Sequence, residues 1–215
     1  MHEQLISILK RAPVMPVLMI EDPECAVPLA TALRDGGLPV LEITLRTRAA
    51  LDAIDRIREE VDGVCVGAGT VLNAHDVKLA VAARSEFLVT PGCNSALLDA
   101  GMNSGLPFLP GVATASEALA CMDRGLNAVK FFPAEAMGGL ATLKALSAPL
   151  AGLQFCPTGG ITPENALQYL ALPSVITVGG SWIAPLDLQR AGDWQAIQQR
   201  AAIASQLPVA AGAGR

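Results

Sequence analysis

The chain has 215 residues, 52% of them apolar and 16% charged, which excludes a disordered polymer and leaves enough length to bury a full core. Its formal charge of -5 argues against nucleic acid as a partner, because such binding rests on basic patches. No apolar run reaches the roughly 18 residues a membrane helix needs, and the N-terminal stretch lacks the apolar centre of a signal peptide.

In chain order, short apolar runs alternate with amphipathic stretches. Strands are predicted at residues 14–20, 40–45, 64–67, 87–89, 108–109, 128–132, 153–156 and 175–178. Several are almost continuously apolar, as expected of parallel strands covered on both faces. Helices are predicted over 24–35, 47–60, 95–103, 116–124, 139–146, 163–170 and 194–206. The first places Ala26, Val27, Ala30 and Leu33 at helical spacing and stops at Gly36-Gly37. Thr114, followed by Glu117, offers a helix cap. Eight strands in 215 residues give about 27 residues per unit, the size of a compact βα unit. The rhythm predicts a single-domain (β/α)8 TIM barrel over residues 1–206, with an open doubly wound sheet as the competing layout. The Ala/Gly-rich residues 207–215 are predicted to fray.

The scarce residue types narrow the chemistry. The five cysteines (25, 65, 93, 121 and 156) are odd in number and form no C-x-x-C, so they read as reduced thiols in or near the core, in a cytoplasmic protein. His2 and His75 are the only histidines, too few for an obvious His-based metal site or a Ser-His-Asp triad. There are eleven arginines but four lysines. Lys10, Lys78 and Lys144 fall on amphipathic helical stretches and read as solvated, whereas Lys130 stands in Ala128-Val-Lys130-Phe-Phe-Pro133 at the end of the sixth strand. A lysine among apolar residues either snorkels out or pairs with a carboxylate, or it serves as a nucleophile. Apolar surroundings disfavour the charged form of an amine, and a neutral amine attacks carbonyl carbon to form a Schiff base.

In a βα barrel the active site lies where strands end and βα loops begin. At the end of the second strand, a side-chain period of two places Glu42, Thr44 and Arg46 on one face. Glu42 and Arg46 form either a structural ion pair or a working pair, with Arg46 gripping a substrate carboxylate and Glu42, beside Arg46 and Lys130, acting as general acid and base. After the third strand, Gly67-Ala-Gly69-Thr70 permits close backbone approach, and the Thr70 hydroxyl can bond a ligand oxygen. Thr90-Pro91-Gly92 and Leu109-Pro110-Gly111 read mainly as loop geometry closing strands four and five, although Pro91 is placed to wall a pocket. Phe132 and Pro133 supply apolar walls for Lys130. Pro157-Thr158-Gly159-Gly160 and Gly179-Gly180-Ser181 end strands seven and eight, the two loops that commonly bind phosphate in such barrels. No basic residue lies beside either, so backbone N–H groups would be the donors. Trp182 and Trp194 read as packing.

Taken together, Gly37-Leu-Pro-Val-Leu-Glu42-Ile-Thr-Leu-Arg46-Thr47, Gly67-Ala-Gly-Thr70-Val71, Val129-Lys130-Phe-Phe-Pro133-Ala134-Glu135, Pro157-Thr-Gly159-Gly160-Ile161 and Gly179-Gly-Ser181-Trp182 resemble the class I 2-keto-3-deoxy-6-phosphogluconate (KDPG) aldolases, a family also known for 4-hydroxy-2-oxoglutarate (KHG) aldolase activity. The resemblance runs in order from about Leu5 to Leu207. It implies a (β/α)8 barrel, usually a homotrimer, that needs no metal or cofactor beyond the covalent imine. It also implies reversible cleavage of the phosphorylated keto-deoxy sugar acid to pyruvate and D-glyceraldehyde 3-phosphate, the closing step of the Entner–Doudoroff pathway. On the matching motifs, Lys130 takes the place of the Schiff-base lysine, Glu42 of the acid/base and Arg46 of the carboxylate-binding arginine. Thr70 matches the threonine near the pyruvyl group, and Gly159, Gly160, Gly180 and Ser181 match the phosphate site. Thr90 and Met137 depart from the family's usual Ser and Asn, which leaves the sugar acid open between KDPG, its galactonate epimer and KHG. Outside the aldolases, a phosphosugar isomerase or epimerase would explain the glycine loops and Glu42 but not the lysine. A phosphometabolite sensor would bind without turnover.

Overall fold

The protein is described by a computed structural model covering residues 2–210. Among the described residues there are nine strands and ten helices, in the order α1 His2–Leu9, β1 Val14–Leu18, α2 Ala26–Asp35, β2 Val40–Thr44, α3 Ala50–Glu60, β3 Cys65–Gly69, α4 Ala74–Ala82, β4 Leu88–Val89, α5 Ser95–Met102, β5 Phe108–Leu109, β6 Gly111–Val112, α6 Ala115–Met122, β7 Ala128–Phe131, α7 Gly139–Ser147, β8 Gln154–Pro157, α8 Pro163–Leu170, β9 Val178–Gly180, α9 Leu186–Ala191 and α10 Trp194–Ser205. Every ladder pairing is parallel. Six strands form one sheet in the order β5-β4-β3-β2-β1-β9, and β6-β7-β8 form another. Two isolated parallel bridges, Phe155 with Val175 and Thr158 with Gly179, connect β8 to the segment leading into and through β9.

Parallel strands need crossover connections, and each helix supplies one by burying its apolar stripe on the sheet. Leu29, Ala30 and Leu33 of α2 and Ala53, Ile54 and Ile57 of α3 join Leu41, Ile43, Val66 and Ala68 in the larger core cluster. A second cluster holds the opposite strand faces: Met15, Val40, Cys65, Phe87, Leu109, Ala128 and Cys156, covered by Leu5, Ile8 and Leu9 of α1. The next residues along that second face are Glu42 after Val40 and Lys130 after Ala128, because strand side chains alternate. Thus α1 plugs the N-terminal end of the strands with hydrocarbon, and the charged pair occupies the layer above. The helix starts follow from side-chain caps at Asn73 and Asn94 and from two capping boxes, Thr114 with Glu117 and Thr162 with Asn165.

The structure moves some predicted boundaries. The last strand is Val178–Gly180 rather than 175–178, since Val175 makes only a bridge and the glycines carry the ladder. Leu109-Pro110-Gly111 closes β5, as expected, and also opens β6. Pro110 lacks an N–H and interrupts the hydrogen bonding, but Gly111 and Val112 continue it against Lys130 and Phe131. The short helix α9 was not foreseen, and α1 lies in a stretch predicted only through Lys10, which falls just past its end. Lys10, Lys78 and Lys144 are exposed. No helix among the described residues is long and apolar enough to cross a membrane. Residues 211–215 of the predicted tail lie outside the described residues. Just before them, Leu207 packs on the core and the Ala210 N–H donates to the Leu170 carbonyl at 2.9 Å.

The thiols are all free. Burial pushes Cys65 and Cys156 up to about 12. Cys93 is half-buried, 3.8 Å from the Cys121 sulfur, and the hydrogen bond between the two thiols holds it below the ordinary thiol range. Iodoacetamide at about pH 8 should therefore label Cys93 first, because alkylation goes through the thiolate. Peptide mass spectrometry of the native protein should find Cys65 and Cys156 unlabelled at that stage. Labelling of Cys156 as fast as Cys93 would contradict the assignment.

Candidate active site

Lys130 and Glu42 meet on the inner strand face, 88 residues apart in sequence. Lys130 Nζ donates to Glu42 Oε1 at 2.9 Å and Oε2 at 3.2 Å. Lys130 is 4% exposed and Glu42 0%. Among the described residues this is the one ion pair with both side chains buried. A buried pair is poor value as a stabiliser, since desolvating two ions offsets most of their attraction. Its place in an otherwise apolar interior makes it the candidate for the chemistry of the site. The space for it comes from Gly69, where a Cβ would collide with the Glu42 carboxylate. Cys156, in register with Lys130, and the Phe132 ring, 5.4 Å from Nζ, complete the apolar surround.

Arg46 requires a correction. Strand β2 ends at Thr44, so the alternation does not reach position 46, and Arg46 is exposed in the turn beyond. It makes no ion pair with Glu42, whose partner is Lys130. Arg46 instead lines a cavity of about 300 Å³ together with Met19, Thr44, Ser181 and Gln189. Lys130 and Glu42 are not on that cavity's wall. Glu42 lies two residues deeper than Thr44 along the same strand face. The guanidinium, unpaired among the described residues, is thus placed at the mouth rather than in the floor of the site.

The remaining predicted residues surround these two levels. Thr70 follows Gly69 with φ of +56°, a left-handed conformation unusual for a β-branched residue. Such strain concentrates at functional sites. Pro91 is half-buried, and its backbone packs against Gly111, the residue in register with Lys130. The buried Thr90 hydroxyl accepts the Gly111 N–H at 3.0 Å, which gives this departure from the family pattern a structural role. Met137, the other departure, is 39% exposed.

The two glycine loops are brought side by side. Thr158 is buried, bridges to Gly179, and occupies the space a Cβ there would need. Gly159 and Gly160 have φ of +96° and +77°, so their amides turn in a way L side chains resist. A Cβ on Gly159 would come within 3.2 Å of the Phe132 ring, which ties this loop to the Lys130 surround. Gly180 lies within β9, and Ser181 follows it, exposed, on the same cavity wall as Arg46. Residues the sequence reading did not single out include Met19 and Gln189 on that wall and the Tyr169–Glu135 hydrogen bond behind the glycine turn. The last had one visible signal, an acid just after the Lys130 motif. Among the described residues no three His, Cys, Asp or Glu side chains converge as metal ligands would.

Comparison with known proteins shows the family to which the chain belongs. The family model for KDPG and KHG aldolase matches residues 5–200. A 2-dehydro-3-deoxy-phosphogluconate aldolase of Pseudoalteromonas atlantica is 49% identical over 195 residues, 91% of each chain. The crystal structure of the 2-keto-3-deoxy-6-phosphogluconate aldolase of Zymomonas mobilis with 3-phosphoglycerate superposes with a TM-score of 0.92 at 47% identity, covering 99% of this chain and 100% of that one. The Legionella pneumophila KDPG aldolase, with pyruvate captured as a covalent carbinolamine intermediate, superposes with a TM-score of 0.91 at 42% identity, covering 94% of this chain and 98% of that one.

Proposed function

Because this chain belongs to the KDPG and KHG aldolase family, we propose that it works as a class I aldolase through an imine on Lys130. The activity is reversible cleavage of 2-dehydro-3-deoxy-6-phosphogluconate to pyruvate and D-glyceraldehyde 3-phosphate, an aldehyde-lyase step of the Entner–Doudoroff pathway. The observation that carries the reading is the buried lysine with a carboxylate on its nitrogen at 2.9 Å.

The geometry orders the steps. Glu42 accepts a proton from the Lys130 ammonium, and the freed amine attacks C2 of the keto acid. Glu42 returns that proton to the carbinolamine hydroxyl, which leaves as water to give a protonated imine and restores the carboxylate. The C4 hydroxyl gives up its proton to Glu42, directly or through a water, as the C3–C4 bond breaks. That electron pair passes into the imine, leaving an enamine, and the aldehyde departs. Glu42 returns the proton to C3, and hydrolysis of the resulting protonated imine releases pyruvate and restores the Lys130 ammonium beside the Glu42 carboxylate. The imine is the electron sink, so the reading assigns no cofactor and no metal. Arg46 and Thr70 hold the carboxylate, and Pro91 and Phe132 wall the pyruvyl group. Thr158, Gly159, Gly160, Gly180 and Ser181 hold the phosphate. Anchoring a remote phosphate lets binding energy orient the reacting carbons. The carbinolamine captured on the Legionella enzyme supports the covalent step. A KHG activity is the second reading, favoured by the family's double description.

The same reading takes residues 1–206 as one closed (β/α)8 barrel. Pro110 alone separates β5 from β6, and the two bridges between β8 and the β9 segment supply the remaining seam. It takes the assembly as a homotrimer, following the family resemblance, and the site of action as the cytoplasm, whose reducing conditions suit five free thiols.

Borohydride reduction in the presence of pyruvate tests the imine. Peptide mass spectrometry should find one reduced pyruvyl adduct, on Lys130. No adduct, or adducts spread over Lys10, Lys78 and Lys144, would remove the class I mechanism and move the weight to an isomerase or epimerase.

A further inference from the structure

Behind the glycine turn lies a contact that none of these steps uses. Tyr169 of α8 is 1% exposed and donates its phenolic hydrogen to the Glu135 carboxylate in the β7–α7 loop. Burial and the neighbouring carboxylate raise the phenol above its ordinary range, so it stays a donor. Glu135 also holds the turn through its backbone: its N–H donates to the Gly159 carbonyl at 3.1 Å, and the Ala134 N–H donates to Thr158 at 2.8 Å. The turn closes directly on Glu135, since a Cβ at Gly160 would come within 2.6 Å of Glu135 Cβ. From the other side, Asn165 Nδ2 donates to the Gly160 carbonyl at 3.1 Å. Asn165 and Tyr169 are four residues apart on α8 and therefore share one helix face. That face grips the turn twice, directly through Asn165 and indirectly through Tyr169 and Glu135. Gly139 leaves the room for this link, because a Cβ there would lie 3.1 Å from Glu135 Oε1 and 3.2 Å from the Tyr169 hydroxyl.

We propose that Tyr169 and Glu135 are positioning residues for the phosphate end of the substrate: their hydrogen bond fixes the Gly159-Gly160 turn with its amides presented, and neither side chain touches substrate. The inference rests on the reading that this turn binds phosphate. An unmade neutral-to-charged hydrogen bond of this kind corresponds to roughly a tenfold loss.

The test compares KDPG with the unphosphorylated keto acid 4-hydroxy-2-oxoglutarate. Tyr169→Phe keeps the buried ring and removes only the donor, and Glu135→Ala removes the acceptor. Both should raise KM for KDPG about three- to tenfold with kcat within about twofold, and should leave kcat/KM for the unphosphorylated acid unchanged. Glu135→Gln, whose amide oxygen still accepts from Tyr169, should stay close to wild type. A purely structural contact would weaken both substrates equally, and that result, or no effect on either, would overturn the proposal. If wild type showed no preference for the phosphorylated acid, the phosphate reading would fail and the proposal with it. Borohydride trapping at Lys130, which needs no phosphate, separates that failure from loss of the aldolase mechanism.

Discussion

Lys130→Ala should abolish aldol cleavage, lowering kcat/KM by about 10⁴- to 10⁶-fold, as expected when a nucleophile that works as a unit with its base is lost. The other three lysines are exposed, so none of them stands buried beside Glu42 to substitute. The substitution should also destabilise the protein. It leaves the Glu42 carboxylate at 0% exposure without its ammonium, and breaking a buried pair from one side costs about 3–5 kcal/mol. A double variant, Lys130→Met with Glu42→Gln, removes both charges at similar volume and should recover most of that stability while remaining inactive. Pyruvate release under saturating substrate and urea unfolding measure the two effects separately. Wild-type-like turnover in Lys130→Ala would end the imine mechanism. Equal instability of the single and double variants would show that packing, not the orphaned charge, is what the lysine supplies.

Much of this was readable in the sequence because it took the form of anomalies. The buried strands stand out as near-continuous apolar runs, since helices cover one face and the second cluster fills the other. Against that background a lysine in Val129-Lys130-Phe131 and an acid in Leu41-Glu42-Ile43 are conspicuous. The sequence reading sets both Arg46 and Lys130 beside Glu42, and the structure keeps only Lys130 as its ion-pair partner. Arg46, four residues away, read as a partner because alternation was carried past the point where β2 ends. The partner it has, Lys130, is set by which strands the fold brings to face each other across the interior. Short elements failed for a related reason. The three-residue strand Val178–Gly180 has too few side chains for a pattern, and its position is fixed by Thr158 filling the space beside Gly179. Likewise Glu135 and Tyr169 are separated by 34 residues, and neither looks unusual until the turn between them is seen.

Glu42→Gln separates the two duties assigned to that carboxylate. The amide fills the same space beside Gly69 and still offers an oxygen to Lys130 Nζ, so the site should keep its shape while the protein loses stability, because the buried ammonium loses its counterion. What it cannot do is accept and return a proton. Turnover should fall about 10²- to 10⁴-fold, the usual contribution of a positioned general acid/base. Imine formation asks less of Glu42 than cleavage does, because Lys130 can lose one proton to water on a slower timescale. Cleavage needs a base at the C4 hydroxyl at the moment the C3–C4 bond breaks. The variant should therefore still give the reduced pyruvyl adduct on Lys130 with borohydride while failing to release aldehyde at a useful rate. An unchanged rate would reduce Glu42 to a counterion that keeps the lysine buried. Loss of both the adduct and turnover would instead place its main duty before the imine, in freeing the amine, and would leave the base for bond cleavage to be found elsewhere.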